Sequence, residues 1–313
     1  MHILNLPPLT TTGRLWKALQ IQPIHHPLYR RTQTALSAWL RLDGGFLPFI
    51  YIFLVLIACT IIALITIELV QRGGFILGLL LVLLIFFGSA RHGLLWSMQI
   101  SHFIADEYER GTFPLLSTAP TGAFGASWTI CTAVIHSRDR VHEWGVQHVA
   151  LTRSALSMWV VVLLIFLWMS RVISLGSLLD IPVAMLAVIA VYFLDGKQSI
   201  VLGCLLGMLI PMYSRSRNDA RLLSMASFLA LQIATYLLAW MFAAFILPMV
   251  AQRSGFEATA SSIFQAAFGV GLFYVLREAI IRVLWLRLIA QLNVSAAEIE
   301  NTIHAPLYQT SVA

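Results

Sequence analysis

FLPFIYIFLVLIACTIIALITIELV, residues 46–70, is an apolar run whose one charged side chain, Glu68, lies near its end. A helix needs about 20 mostly apolar residues to cross the hydrocarbon core of a bilayer, so this run predicts a transmembrane helix. Further apolar stretches predict additional crossings at residues 74–100, 154–170 and 222–250, and a last one that begins at 262–276.

The composition of the whole chain agrees with a membrane protein. Hydrophobic residues make up 59% of it and charged residues 11%, whereas a soluble domain carries about 25% charged and about 45–50% apolar residues. At 313 residues, a water-soluble fold would have to hide more apolar surface than its volume allows. The amino terminus lacks the apolar core of a removable signal peptide, so we expect the first span to act as the targeting signal.

The basic residues indicate how the chain lies across the membrane. The chain has 18 arginines and two lysines against 14 acidic residues, a net charge of +6, and the basic residues form short clusters between the apolar runs. This distribution is typical of topology determinants at an inner leaflet, and it argues against a partner that is a nucleic acid.

The number of crossings depends on residues 178–212. This region holds two apolar pieces, separated by Asp195, Gly196, Lys197 and Gln198. With six spans and the amino terminus inside, sixteen basic residues lie in cytoplasmic segments, and only Arg72 and Arg253 lie in outer loops. Seven spans would move two arginine clusters outside, so the positive-inside rule favours six spans with both termini in the cytoplasm.

Six spans place Asp195 and Lys197 near the middle of one over-long crossing. A charge at the bilayer centre costs roughly 2.5–3.5 kcal/mol. We therefore expect these two side chains to pair with each other, or to face the helix bundle or a subunit interface. The alternative is that residues 195–198 form an outer loop between two half-length helices.

Residues 22–45 predict an amphipathic helix that lies at the inner membrane surface. Leu28, Leu36, Trp39 and Leu40 share one face, and Gly44-Gly45 would end the helix. The predicted fold is therefore all-α, with this order of segments: a cytoplasmic amino terminus with an interfacial elbow helix (1–45), two spans (46–100), a cytoplasmic insert (101–153), four spans (154–286) and a cytoplasmic tail (287–313).

The insert opens with HFIADEYERGTFPLLSTAP, residues 102–120. Three acids suit a short helix that stops at Gly111. A second short element with two leucines follows, and Pro120 would end it.

These residues resemble the coupling region of ABC-2 type transporter permeases, in which the second span leads into E-x-E-x-G-T-x-x-L-L-x-x-x-P. The matching positions are Glu107, Glu109, Gly111, Thr112, Leu115, Leu116 and Pro120, with Arg110 between them. HPLYRR at 26–31 is similar to the opening of the family's elbow helix, although His26 and Arg31 replace its Asn and Glu. Residues 205–220 resemble its fourth span. Residues 121–153 are longer and more polar than the family's usual return to the third span.

The resemblance implies an exporter subunit in a bacterial cytoplasmic membrane, paired with a second permease as a homodimer or heterodimer. It also implies a separate ATPase, because the chain has no GxxxxGK[ST] motif; ATP and Mg²⁺ would be bound by that partner, and no cofactor or metal is expected in this chain. The acids of the insert would meet basic residues of the ATPase, and the face of Leu115 and Leu116 would dock. The alternative for these acids is an ordinary solvated helix face.

The sequence signals for metal binding and for catalysis are weaker. His136, His142 and His148 recur every six residues, a spacing that does not place them on one helix face, so we expect interfacial histidines rather than metal ligands. No GxSxG or HExxH motif occurs, so the chain is not expected to be an enzyme. Glu278 is expected to pair with Arg277 or Arg282. The alternative function is a non-transporting membrane scaffold or accessory subunit of a larger bioenergetic or biosynthetic complex, which the unusual 121–153 segment favours.

Overall fold

The computed structural model describes residues 11–21, 23, 26–42, 74–118, 122–136, 177–246, 249–250 and 258–303. Its elements in these ranges are all helical, which confirms the all-α class. In chain order they are α1 (Thr11–Leu19), α2 (Pro27–Leu42), α3 (Gly74–Glu109), α4 (Phe113–Ser117), α5 (Gly122–Ile135), α6 (Ser177–Leu209), α7 (Arg217–Met241), α8 (Ala258–Leu292) and α9 (Ala296–Ile303). A 3₁₀ turn, Ile210–Tyr213, extends α6, and a π-helical turn, Phe242–Ile246, extends α7.

Three helices are much longer than a bilayer core. With 36, 33 and 35 residues, α3, α6 and α8 each measure about 50 Å at a rise of about 1.5 Å per residue. Within the described ranges, two helical segments are long and apolar enough to cross a membrane, Phe193–Tyr213 and Arg217–Ala239. The spans expected at 46–70 and 154–170 lie outside the described residues, so the six-span arrangement stays a prediction.

Helix α6 runs without a break through the polar residues that made its topology ambiguous. Asp195, Gly196, Lys197 and Gln198 are all helical within Ser177–Leu209. The single-helix prediction is therefore confirmed, and the alternative of an outer loop between two short helices is wrong.

The contacts between α3 and α7 show that these helices are antiparallel. Ser101 Oγ donates to the carbonyl oxygen of Ala220 at 2.8 Å, and one turn earlier in α3 Ser97 bonds to Ser224, one turn later in α7. Buried serines thus link the two helices, and small polar side chains commonly make such hydrogen bonds between apolar helices.

Helices α6 and α8 run in the same direction. Ser199 in the middle of α6 bonds to Arg277 at 2.7 Å, and Tyr213 just beyond α6 donates to Gln291 near the end of α8 at 3.3 Å. Helix α3 is parallel to both, because Gly93 packs on Gly203 and the later Ile100 packs on Gly207.

Helix α5 is unexpected from the sequence, because it lies in the segment that the composition marks as unusually polar. Every residue from Phe124 to Ile135 is buried. Helix α2 packs against it, and Leu28 and Tyr29 in the first turn of α2 are buried, at 6% and 2% exposure. The amphipathic helix predicted at the amino terminus thus exists, but its first apolar turn packs on protein; the side chains of Leu36, Trp39 and Leu40 and residues Gly44-Gly45 lie outside the described set.

The amino-terminal helix is tied to the last long helix through a carboxylate. Glu278 of α8 accepts a hydrogen bond from the backbone N–H of Thr12 at 3.0 Å and another from the Thr12 hydroxyl. Free N–H groups in the first turn of a helix favour such an anion. The expected ion pair of Glu278 with Arg277 or Arg282 is wrong, since Arg277 bonds elsewhere and Glu278 forms no ion pair with Arg282 among the described residues.

Candidate functional site

The motif that resembles a coupling region lies where α3 ends. Gly111 adopts a left-handed backbone with φ of 66°, and its N–H donates to the carbonyl oxygen of Tyr108 at 3.0 Å. The N–H of Thr112 reaches the carbonyl oxygen of Glu107 at 3.1 Å. Glycine is favoured here because a Cβ opposes this conformation. The predicted helix stop at Gly111 is confirmed, although the acids belong to the last turns of α3 and not to a separate short helix.

The acids of this turn are bound by residues of the chain itself. Arg31 of α2 lies 2.8 Å from Glu107, and the Thr112 hydroxyl also donates to that carboxylate. Glu109 accepts from the backbone N–H of Arg217 at 2.6 Å, at the first residue of α7. The acids therefore tie α3 to α2 and α7, and acids at a helix carboxyl end need such partners because the helix dipole disfavours them there.

A second set of ion pairs reinforces the same turn. Asp106 lies 2.6 Å from Arg110, which follows directly after α3, and 3.5 Å from Arg217. The arginines are about half exposed, so each pair contributes about 0–1 kcal/mol. Arg110, predicted to dock a partner, is thus engaged with Asp106 in this structure.

The two leucines of the motif lie in helix α4 and differ in exposure. Phe113 is buried and stacks on Tyr108 with ring centroids 4.1 Å apart. Leu116 packs against the core, whereas Leu115 is 71% exposed. The sequence predicted that both leucines would dock, but only Leu115 is presented outward, beside the exposed Pro114; Pro120 lies outside the described residues.

Replacing Gly111 with Pro should open this turn. Proline fixes φ near −65° and removes the N–H that bonds to Tyr108, so we expect faster amide exchange at 112–117 by about tenfold or more in hydrogen-exchange mass spectrometry. The Gly111→Asn variant is the matched control, because Asn tolerates the left-handed region and no described atom lies within 4 Å of a Cβ at this position. Equal exchange in both variants would show that the left-handed stop does not hold the turn.

A second polar site lies inside the bundle, around Asp195 of α6. Its carboxylate is fully buried and lies 2.5 Å from Arg277 Nη2 of α8. Tyr236 and Gln232 of α7 also donate to it, at 2.8 and 3.1 Å, and Ser199 donates at 3.2 Å. We call these five residues, with the neighbouring Gln198, the buried polar cluster.

The sequence identified one residue of this cluster, Asp195. It predicted that Asp195 and Lys197 would pair with each other, face the helix bundle or face a subunit interface, and in the structure Asp195 faces the bundle. Lys197 is exposed and Arg277 pairs with Asp195, so the pairing of Asp195 with Lys197 is wrong. The sequence did contain one signal for this cluster, which is the spacing of its polar residues. Asp195 and Ser199 lie four residues apart in one apolar segment, and Gln232 and Tyr236 lie four residues apart in another. Each pair therefore shares a helix face.

Of the three histidines at positions 136, 142 and 148, the structure describes the first. His136 is buried at the end of α5, with Nδ1 2.9 Å from the carbonyl oxygen of Thr132. Burial lowers its pKa, and hydrogen bonds with the backbone of Thr132 and Gln20 oppose that effect. His142 and His148 lie outside the described residues, and within the described ranges no three potential ligands form a metal-binding group.

Comparison of the chain with protein-family models, curated proteins and solved structures found no match. The assignment of a function therefore rests on the residues and geometry described above.

Proposed function

We propose that this chain is the membrane-spanning permease subunit of an ABC-2-like exporter, driven by a separate ATPase that docks at α4. The observation that carries the proposal is the turn at the end of α3. There, a long apolar helix ends in a braced acidic turn and presents Leu115, 71% exposed, on a short helix that packs on the core through Phe113 and Leu116. An exposed apolar side chain on a rigid support is a suitable anchor for a protein partner.

The directions of the long helices support the six-span arrangement. Six spans with an inside amino terminus require spans two, four and six to run inward and span five to run outward. Helices α3, α6 and α8 would be spans two, four and six, and they are mutually parallel. Helix α7 would be span five, and it is antiparallel to α3.

Segments that we expect on the cytoplasmic side contact one another at the end of α3. Glu107 meets Arg31 of α2, and Glu109 meets Arg217 after α6. Helices of about 50 Å extend roughly 20 Å beyond a core of about 30 Å. This overhang, with α1, α2, α4 and α5 packed around it, would form the platform for the ATPase, which would supply ATP and Mg²⁺.

Replacing Leu115 with Asp should release the ATPase. Loss of a buried anchor at a protein interface costs about 2 kcal/mol or more, so we expect at least about a tenfold loss of ATPase co-purifying with the full chain from its native membranes in mild detergent. Ala297→Asp, which adds the same charge at an exposed site on α9, should retain it. Equal recovery of an ATPase with both variants would remove α4 as the docking site.

The second candidate function is a non-transporting scaffold or accessory subunit of a larger membrane complex. The observation in its favour is that the acids of the insert are engaged within the chain and that α5 is buried from Phe124 to Ile135, as in a fixed framework. Recovery of haem or electron-transfer subunits with the wild-type chain, in place of any ATPase, would favour this candidate and overturn the exporter.

A further inference from the structure

An exposed apolar strip on α8 ends directly before an arginine. The exposed hydrophobic side chains of this helix run from Ile263 to Leu286, and among them Val275 and Val283 are 51% and 57% exposed. The structure describes every residue of the strip, and no charged side chain within it is exposed. At about 1.5 Å per residue the strip is about 35 Å long, close to the thickness of about 30 Å of a bilayer core. Arg287, which follows it and is exposed, therefore lies at the level of lipid headgroups.

Helix α7 changes from charged to apolar at the same level. Tyr213, just before α7, donates to Gln291 near the end of α8 at 3.3 Å, so the start of α7 lies beside the end of α8. The exposed face of α7 is charged at Arg217 and apolar from Leu222, which is 55% exposed. Leu222 follows the first residue of α7 by five positions, and Leu286 precedes Gln291 by five. Both apolar faces therefore end at nearly the same depth, which marks one membrane boundary.

Two exposed arginines at this boundary are accessible to a partner. Arg287 lies one helical turn before Gln291, on the same face of α8. Arg215 lies two residues after Tyr213, in the turn that precedes α7. Neither arginine forms an ion pair within the described part of the chain, and neither does Asp219, the acid nearest to Arg215 in the sequence. The positive charge at this end of the apolar strip is therefore exposed and not neutralised.

We propose that Arg287 binds the phosphate of an acidic phospholipid whose acyl chain lies along Val283 and Leu286. The planar guanidinium group donates two parallel hydrogen bonds to phosphate oxygens. Tyr213, 58% exposed, lies beside it, and tyrosine is common at the membrane–water interface. The second positive charge, on Arg215, favours a lipid with a net negative charge over a zwitterionic one.

A phospholipid fits this surface better than a soluble acidic partner does. A soluble acid would neutralise Arg287 but would leave the exposed strip from Ile263 to Leu286 in water. A phospholipid covers the strip with its acyl chain and the arginine with its headgroup. Because basic clusters are expected on the cytoplasmic side, this lipid would belong to the inner leaflet.

The test uses the full-length chain, purified in mild detergent and depleted of lipid. Native mass spectrometry would compare the binding of phosphatidylglycerol with that of phosphatidylcholine carrying the same acyl chains. Each basic residue near a membrane surface favours an acidic lipid by roughly fivefold. We therefore expect phosphatidylglycerol to bind the wild type about 25-fold more tightly, and the Arg215→Gln/Arg287→Gln variant to bind both lipids nearly equally.

The matched control is Arg14→Gln/Lys17→Gln, which removes the same charge from exposed positions on α1 and should keep the preference for phosphatidylglycerol. A phosphatidylglycerol with a photoreactive group at the start of one acyl chain locates the site in the wild type, whether or not the variants fold. We expect it to label residues 275–291. Equal affinity of the wild type for both lipids, an equal loss of preference in the two double variants, or labelling confined to other parts of the chain would overturn the proposal. Because no step needs an ATPase, its failure is distinct from failure of the exporter proposal.

Discussion

Replacing Arg277 with Met should destabilise the protein by about 3–5 kcal/mol, because it leaves Asp195 charged and without a counter-ion in the interior. Asp195 is fully buried, and its shortest bond, at 2.5 Å, is to Arg277. The three neutral donors that remain cannot replace a positive charge. The loss would be measured as a lower unfolding midpoint of the purified chain in mild detergent.

The double variant Asp195→Leu/Arg277→Met is the control for this prediction. Removing both charges of a buried pair is often neutral or stabilising, so it should recover most of the stability lost in the single variant. Tyr236→Phe removes one neutral donor to Asp195 at 2.8 Å and should cost about 0.5–1.5 kcal/mol. If the single and double variants are equally unstable, the ion pair is not what holds α6 to α8.

Local features of the fold could be predicted from the sequence because they depend on neighbouring residues. The stop at Gly111 follows from backbone conformation, and the continuity of α6 through Asp195 is compatible with its apolar surroundings. The charge count favoured one segment over two at residues 178–212, in agreement with the continuous helix α6. These inferences use the length of apolar runs and the chemistry of single residues, both of which the sequence contains.

Long-range partners could not be predicted in the same way. Lys197 is two residues from Asp195, whereas Arg277 is 82 residues away, and nothing in the spacing along the chain links α6 to α8. The same holds for Glu107 and Arg31, which are separated by 76 residues. Helix α5 was missed because it is shorter than a span and is flanked by polar residues, so the composition of the segment masks an apolar core helix.

Replacing Gly203 with Val should separate α3 from α6 and lower the stability of the protein by at least about 3 kcal/mol. A Cβ at position 203 would overlap the carbonyl oxygen of Gly93 and would lie 3.0 Å from its Cα. Backbone atoms cannot repack as a flexible side chain does, so the helices must move apart, and overpacking of a close contact costs about 1–3 kcal/mol even where side chains can adjust.

The control for this helix contact is Gly196→Ala in the same helix α6. No described atom lies within 4 Å of a Cβ at position 196, so this variant should be neutral or gain up to about 1 kcal/mol from helix propensity. Both variants would be compared by thermal unfolding of the purified chain. Separation of the helices predicts that the Gly203→Val substitution lowers the unfolding midpoint, whereas Gly196→Ala does not. Unchanged values would mean that α3 and α6 do not cross in backbone contact, and would remove the parallel packing that supports the six-span arrangement.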